Sequence, residues 1–241
     1  MEKRPSWELK LEPAGEKPLT LQEIYRNCVE SIVSLESYVE GEPGYYWGTG
    51  IILSEDGLIL TNAHVVEGCD SAEITLHDGT EYEAKLVGAD NTSDIAVLKI
   101  DARGLVPAAF GESDELRVGD EVAALGNPLG EEFLATLTDG IVSAIDRGVS
   151  VDGHSMNLIQ TNTAINEGNS GGALLNMYGQ VIGVTNMKMM SSYSSIEGIG
   201  FAIPSSTVRA VVNALIKEGE VRGRPAIGVT VGAIPEEAAE H

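Results

Sequence analysis

The sequence predicts an all-β protein, built as barrels or a sandwich, with one long helix near its C-terminal end. Short apolar runs separated by turn residues follow one another between residues 30 and 204, a spacing typical of such folds. Asp78 and Gly79 lie between two of these runs and form a strong hairpin signal, because both turn positions favour positive φ. No run approaches the roughly 18 consecutive apolar residues of a membrane-spanning helix.

The elements are expected in the following order. Thr20 and Glu23 form a capping box that begins a short helix after a polar, flexible lead at residues 1–19. The predicted strands cover residues 31–35, 50–53, 58–61, 74–77, 80–87, 95–100, 121–125, 140–145, 158–161, 181–185 and 198–203. A helix over 205–218 follows, because apolar residues recur there at helical spacing and Gly219 stands where a helix stop belongs.

Composition and charge exclude several classes of function. The chain of 241 residues carries 37 acidic residues against 15 Lys and Arg, a formal net charge of −22. Binding to nucleic acid or to an anionic lipid surface needs a basic footprint, so we expect neither partner. Cys28 and Cys69 are too few for a disulfide framework, and no Cys/His cluster has the spacing of a metal site. We therefore expect no metal and no cofactor.

The segment Gly-Asn-Ser-Gly-Gly at 168–172 is the sharpest chemical signal. A serine hydroxyl becomes a good nucleophile only beside a base, with N–H donors placed for the developing oxyanion. Taken alone, the segment is equally consistent with a loop between strands. It also matches the Gly-x-Ser-x-Gly elbow of α/β-hydrolases, but that motif requires a following helix and a downstream histidine. Another strand follows here, and His241 is the only later histidine, so we exclude the elbow.

A base for Ser170 must therefore lie upstream. His64 ends an apolar strand, whereas His77 and His154 stand in polar turns. Asp94 directly precedes a nearly continuous apolar strand, and a carboxylate buried there needs a hydrogen-bonding partner such as an imidazole. Each residue alone has a structural explanation, but the order His, Asp, Ser is that of chymotrypsin-type triads. We predict that His64, Asp94 and Ser170 form the catalytic triad of a serine endopeptidase.

The chain resembles the HtrA (high-temperature-requirement A, or Deg) serine proteases in nine motifs that span roughly residues 30–218. They are Gly-Thr-Gly-Ile-Ile at 48–52, Thr-Asn-Ala-His-Val-Val at 61–66, Asp-Ile-Ala-Val-Leu-Lys at 94–99, Gly-Asn-Pro-Leu-Gly at 126–130, Thr-Asp-Gly-Ile-Val-Ser at 138–143, Gln-Thr at 160–161, Ile-Asn at 165–166, Gly-Asn-Ser-Gly-Gly at 168–172 and Gly-Phe-Ala-Ile-Pro at 200–204. The family's usual Asp after Gln-Thr is replaced by Asn162, which touches no member of the triad.

The resemblance implies a fold of two six-stranded antiparallel β-barrels of the chymotrypsin/trypsin type with a C-terminal helix. The protease domain would cover residues 20–219, divided into a first barrel at about 30–118, a second barrel at about 119–204 and the helix at 205–218. Residues 220–241 would be a linker and the truncated start of a PDZ-like domain, because 225–231 has the pattern of a fresh strand.

The resemblance also implies an extracytoplasmic protein of the cell envelope or periplasm, anchored to a membrane in its full length. Residues 1–5 lack the apolar run of a secretory signal. From the residues alone, a cytoplasmic protein and a chain that starts after a removed leader therefore both remain open.

Roles around the triad follow from the same resemblance. The backbone N–H groups of Gly168 and Ser170 would form the oxyanion hole. Ala164 would lie at the base of the pocket for the P1 side chain, where the lack of a carboxylate disfavours Lys and Arg. The other expected pocket residues are Ile165, Ile199, Gly200 and Phe201. Such a small apolar pocket predicts small aliphatic P1 residues.

A homotrimer is a further implication of the resemblance. The adjacent aromatics Tyr45, Tyr46 and Trp47 would form the contact, together with Phe133, because exposed apolar clusters tend to mark contact sites. The alternative from the residues alone is that alternate members of this cluster pack into the first barrel as part of a strand.

Substrates are expected to be unfolded or misfolded proteins and peptides, in protein quality control. Two alternatives stay open. A serine esterase would use the same triad on small acyl groups. A latent protease would act mainly as a chaperone-like or peptide-binding protein, with the serine-rich loop at 187–198 as an order–disorder switch.

Overall fold

The computed structural model describes residues 7–41, 43–127, 135–151, 154–186 and 198–222. Within these ranges, twelve strands form two closed antiparallel barrels of six strands each. The predicted two-barrel fold with a C-terminal helix is confirmed. None of the helices described is long and apolar enough to cross a membrane.

The first barrel has the strand order β1-β2-β3-β6-β5-β4, and β4 pairs back with β1 to close it. Its strands are β1 (Ile32–Tyr38), β2 (Tyr46–Ile52), β3 (Leu58–Thr61), β4 (Ser71–Thr75), β5 (Glu81–Asp90) and β6 (Ile95–Ile100). The strand predicted at 50–53 begins four residues earlier, so that two of the adjacent aromatics, Tyr46 and Trp47, belong to β2.

The second barrel has the order β10-β11-β12-β9-β8-β7, closed by the pairing of β7 with β10. Its strands are β7 (Glu121–Gly126), β8 (Thr136–Val151), β9 (His154–Thr161), β10 (Ala173–Asn176), β11 (Val181–Thr185) and β12 (Gly200–Pro204). Strand β8 is much longer than the predicted 140–145, because register shifts around Ala144 interrupt the alternation that the sequence reading relies on.

Strand β6 shows why the space between the barrels is apolar. Its side chains alternate, so that Leu98 and Ile100 fill the interior of the first barrel while Ile95 and Val97 join a cluster shared with the second barrel. Both faces of β6 are therefore buried, which explains its nearly continuous apolar sequence. The residue just before β6, Asp94, consequently lies at the junction of the two barrels.

Three α-helices accompany the barrels in the described ranges. Helix α1 (Leu21–Cys28) begins with the predicted capping box, in which Thr20 and Glu23 bond each other's backbone N–H groups. Helix α2 (Ala63–Val66) is a single turn after β3. Helix α3 (Ser205–Glu218) packs against both barrels and ends at Gly219, whose φ of 81° is left-handed.

Residues 7–19, part of the lead expected at 1–19, form a segment that we call the N-terminal strap. The backbone N–H of Leu9 donates to Asn213 Oδ1 in α3 at 2.7 Å. The N–H of Glu12 donates to the carbonyl of Phe110 at 2.7 Å, and that of Leu19 to the carbonyl of Met177 at 2.7 Å. The strap is thus fastened to α3, to the connection between the barrels and to the hairpin of β10 and β11.

Candidate active site

The three predicted triad residues come together at the junction of the barrels. His64 lies in α2, directly after β3, and Asp94 directly before β6, so both belong to the first barrel. Ser170 precedes β10 in the second barrel. Each residue therefore stands close to the end of a strand, and its side chain faces the junction.

The geometry of these side chains forms a continuous chain of polar contacts. His64 Nδ1 lies 2.6 Å from Asp94 Oδ2, and His64 Nε2 lies 3.2 Å from Ser170 Oγ. Because an ionised carboxylate only accepts hydrogen bonds, Nδ1 carries the proton and Nε2 is left as an acceptor toward the serine hydroxyl. Asp94 and Ser170 are buried, whereas the His64 side chain remains 22% exposed. The arrangement is that of a nucleophile, a base and a group that orients the base.

Asp94 is held in an uncommon backbone conformation. Its φ of 53° lies in the left-handed region, which residues other than glycine seldom adopt. The Asn62 amide donates to the Asp94 carbonyl oxygen at 2.9 Å, instead of capping α2. The backbone N–H of His64 donates to Asp94 Oδ1 at 2.8 Å, so the backbone and the carboxylate are both fixed. Strain of this kind persists only where surrounding contacts determine it, and it is common at functional sites.

The loop around Ser170 depends on two glycines with positive φ. Gly168 has φ 91° and Gly171 has φ 85°. A Cβ on Gly171 would overlap with the carbonyl oxygen of Thr49 and the hydroxyl of Thr61. The Thr49 backbone N–H donates to the Ser170 carbonyl at 2.8 Å, so the close approach of β2 to this loop requires a residue without a side chain.

The predicted pocket residues lie near one another. Ala164 is exposed, and its carbonyl oxygen accepts hydrogen bonds from the side chains of Thr138 and Asn169. Ile165 is buried against Gly200, since a Cβ at that glycine would lie 2.8 Å from Ile165 Cδ1. The remaining members, Ile199 and Phe201, pack on the cluster between the barrels.

The predicted trimer residues divide into two groups. Tyr45 and Tyr46 are 54% and 57% exposed. Trp47 is half-buried, and its indole N–H donates to the carbonyl of Asn127 at 2.8 Å. Phe133 lies outside the described residues. Tyr46 and Trp47 belong to β2, as the alternative of a strand in the first barrel expects, but the side chains of Tyr45 and Tyr46 remain exposed.

The sequence reading missed Asn62, Thr49 and Asn186, which hold the site in place. Asn186 directly follows β11, and its amide donates to Asp94 Oδ2 at 2.7 Å. Asn62 belongs to the same short motif as His64, so the motif itself was a signal. Asn186 is 92 residues from Asp94, and no local pattern indicates their contact. Within the described ranges, no group of three His, Cys, Asp or Glu side chains is arranged to hold a metal ion.

Comparison with known proteins finds relatives that are named as serine proteases. Residues 48–184 match the family described as trypsin-like peptidase domain. The chain is 46% identical over 192 residues to a serine protease Do-like HtrA of Bacillus subtilis, which covers 76% of this chain and 42% of the relative. It is 48% identical over 192 residues to a probable periplasmic serine endoprotease DegP-like of Chlamydia trachomatis, covering 80% and 38%. The chain thus spans roughly two fifths of the length of these relatives.

Solved structures agree with this grouping. An HtrA-type protease, AlgW, with a decapeptide aligns with a TM-score of 0.78 at 33% identity, covering 92% of this chain and 75% of that one. A serine endoprotease from Yersinia pestis aligns with a TM-score of 0.70 at 37% identity, covering 86% and 70%.

Proposed function

Because the chain belongs to the trypsin-like peptidases of the HtrA/Deg type, we propose that it is a serine endopeptidase that hydrolyses peptide bonds in unfolded or misfolded proteins. The observation that carries this proposal is the contact chain from Asp94 through His64 to Ser170, with distances of 2.6 and 3.2 Å. Both lie within hydrogen-bond reach, as a nucleophile and its base require.

The mechanism proceeds through an acyl-enzyme. Ser170 Oγ attacks the scissile carbonyl while His64 Nε2 takes the hydroxyl proton. The N–H groups of Gly168 and Ser170 stabilise the oxyanion, and loss of one such donor typically costs about 2.7–4 kcal/mol of barrier. His64 then protonates the leaving amine, and a water molecule, activated by the same imidazole, hydrolyses the ester. Asp94 orients the ring and stabilises the imidazolium that forms in each half-reaction.

The pocket supports a preference for small aliphatic P1 side chains. Ala164 supplies no charge. Ile165 packs against Gly200, which leaves little space between these two residues. A Lys or Arg side chain would lose its hydration here without gaining a carboxylate partner. The same apolar surface accepts Val, Ala or Ile without such a penalty.

The wider organisation follows the family. Residues 20–219 form the protease domain, whereas most of the segment predicted as a linker and the start of a PDZ-like domain, 220–241, lies outside the described residues, which end at 222. The protein acts outside the cytoplasm, which relatives that are named periplasmic support. Anchoring of the full-length protein to a membrane is part of the same proposal and rests on the family resemblance alone. It assembles as a homotrimer through Tyr45 and Tyr46, which the exposure of both rings supports, and Trp47 and Phe133 are the other proposed contact residues.

The contact between His64 and Ser170 favours an active protease over a latent, chaperone-like protein. Labelling by a fluorophosphonate tests this, since only an assembled triad activates Ser170. We expect labelling of the wild type and hydrolysis of casein, and neither for Ser170→Ala, which should keep the same circular dichroism spectrum. Ser71→Ala, at the edge of β4, is the matched control. Hydrolysis of casein by Ser170→Ala at the wild-type rate would refute the assignment, and hydrolysis of ester but not peptide substrates by the wild type would indicate an esterase.

A further inference from the structure

The helix that carries the base is a single turn. Helix α2 covers Ala63–Val66, and its N-cap residue, Asn62, makes no side-chain capping bond. The N–H of Val65 donates to the Asn62 carbonyl at 3.4 Å, and the backbone is extended again at Glu67. A turn this short leaves most of its carbonyl groups without a partner inside the helix. Contacts from outside α2 must therefore fix its position and, with it, the direction of the His64 side chain.

One such contact reaches the residue beside the base. The Ser37 hydroxyl donates a hydrogen bond to the carbonyl oxygen of Val65. Ser37 belongs to β1 and has no exposed surface. The Val65 side chain is buried in the apolar cluster of the first barrel, and a Cβ at Gly48 in β2 would lie 2.6 Å from Val65 Cγ1. Strand β1 therefore holds the carbonyl of Val65, while β2 packs closely against its side chain.

Ser37 stands where the strand pattern favours an apolar residue. Val33 and Leu35 of β1 belong to the apolar cluster of the first barrel, and Ser37 follows at the same spacing of two. A hydroxyl buried in such a place costs free energy unless it has a hydrogen-bond partner, and the Val65 carbonyl is that partner. Pairing of β1 with both β2 and β4 fixes the Ser37 backbone, so the hydroxyl is a rigid donor.

The bonds between His64 and Asp94 attach the same turn at a different place. The backbone N–H and the ring of His64 both contact the Asp94 carboxylate, which joins α2 to the start of β6. A turn held at Asp94 alone is free to pivot about that carboxylate. The bond from Ser37 joins α2 to β1 as well and, together with the packing of Val65, removes this freedom.

We propose that Ser37 is a positioning residue of the hydrolytic reaction, which holds the turn of α2 so that His64 Nε2 stays 3.2 Å from Ser170 Oγ. This inference rests on the proposed function. The hydroxyl bonds the backbone of Val65 and not the imidazole, so Ser37 acts through the position of the base. Its loss lowers kcat, because proton transfer depends on the distance between Nε2 and Oγ, and leaves KM nearly unchanged.

The first test compares Ser37→Ala with Ser205→Ala. Ser205, the first residue of α3, is the matched control, because its hydroxyl is also fully buried and donates to a carbonyl, that of Gly111, at 2.6 Å. We expect Ser37→Ala to lower kcat on a peptide substrate about 5- to 20-fold, with KM within about threefold of the wild type. Ser205→Ala should keep both constants, although it loses a comparable bond. A folded Ser37→Ala whose kcat lies within about twofold of the wild type overturns the proposal.

The second test separates the hydroxyl from the packing. Ser37→Thr and Ser37→Val introduce side chains of the same shape, so the added volume strains both variants alike. Only Ser37→Thr retains a hydroxyl that donates to the Val65 carbonyl. We expect kcat of Ser37→Thr to exceed that of Ser37→Val about fivefold or more, with equal KM. Equal kcat values for the two variants would contradict a role of this hydrogen bond in positioning the base.

A third measurement needs no turnover. The backbone N–H of His64 donates to Asp94 Oδ1 at 2.8 Å, and hydrogen exchange followed by NMR reports how often that bond opens. This amide should exchange about tenfold faster in Ser37→Ala than in Ser205→Ala. Equal exchange rates in the two variants refute the inference alone. A wild type that fails to hydrolyse casein refutes the proposed function, while the exchange of this amide still tests the contact of Ser37.

Discussion

The Thr49 hydroxyl in β2 donates a hydrogen bond of 2.6 Å to the carbonyl oxygen of Gly168, in the loop of the nucleophile. The same hydroxyl accepts one of 2.9 Å from the backbone N–H of Asn127. A single side chain of the first barrel thus ties together two loops of the second.

Replacement of this hydroxyl should loosen the loop that carries Gly168 and Ser170. Thr49→Val keeps the shape but leaves a buried carbonyl and a buried N–H without their partner, which costs about 1–3 kcal/mol of stability. We expect kcat/KM to fall about tenfold, because Gly168 loses its anchor. Thr49→Ser keeps the hydroxyl and is the matched control. Equal kinetics and equal thermal unfolding for the valine and serine variants would contradict this prediction.

The close approach of β2 to the nucleophile loop predicts a severe effect of a methyl group. Gly171 and Gly79 have nearly equal φ values of 85° and 84°, but a Cβ meets Thr49 and Thr61 only at Gly171. Gly79→Ala should cost about 1–2 kcal/mol of stability from its backbone alone. Gly171→Ala should cost about 3–5 kcal/mol and abolish activity, because the clash adds to that penalty. Unfolding in urea gives the free energy of unfolding of each variant. Equal decreases in the two variants would show that the structure relieves the clash at Gly171.

The pocket predicts how P1 preference should change with charge. In a peptide library, the wild type should cleave after Val, Ala or Ile, with Lys and Arg strongly disfavoured. Ala164→Asp should raise cleavage after Lys and Arg roughly tenfold or more, because it supplies the missing counter-charge. Ala164→Asn has the same shape without the charge and should not. Dominant cleavage after basic residues by the wild type would refute the assignment of Ala164.

The exposed tyrosines predict the state of assembly. The wild type should have the mass of a trimer by light scattering at micromolar concentration. Tyr45→Ala/Tyr46→Ala should be monomeric, because loss of one patch removes every contact of a closed three-fold ring. This variant leaves Trp47 and its bond to Asn127 intact. Leu86→Ala, at an exposed apolar residue of β5, is the control. A monomeric wild type, or a trimeric double variant, would exclude this interface.

The two free cysteines should differ in reactivity. Burial raises the pKa of the Cys28 thiol from its usual 9.0 to about 11, so a thiol reagent at pH 8 should label Cys69 alone until the chain is unfolded. Between pH 9 and pH 11, the pKa values of this thiol in the unfolded and the folded chain, the unfolded chain binds fewer protons than the folded one. The free energy of unfolding should therefore fall as pH rises through this range. Cys28→Ala should remove that part of the pH dependence. Labelling of both thiols in the native protein would contradict the burial of Cys28.

The sequence predicted the positions of His64 and Asp94 from the recognisable strands beside them, and that of Ser170 from the glycines of its own loop. His64 follows one apolar run and Asp94 precedes another, so the elements that carry them are visible in the pattern. Thr49 and Asn186 differ, since their partners lie 119 and 92 residues away in the other barrel. Such contacts depend on how the barrels dock, which no local periodicity encodes.

The strand boundaries show the same limit. Strand β10 has only four residues, too few for an alternation to be recognised. Strand β8 continues past the predicted end at 145 through Asp146, whose φ of 53° breaks the alternation without ending the pairing.

The N-terminal strap determines when folding can finish. Leu9 and Asn213 are hydrogen-bonded across 204 positions of the chain, so the earliest described part of the protein waits for one of the last. On a ribosome, both barrels and α3 must emerge before the strap has a place to dock, at a synthesis rate of about 5–20 residues per second. Until then the surface that the strap covers stays exposed to other chains, so the newly made chain is open to aggregation before the strap docks.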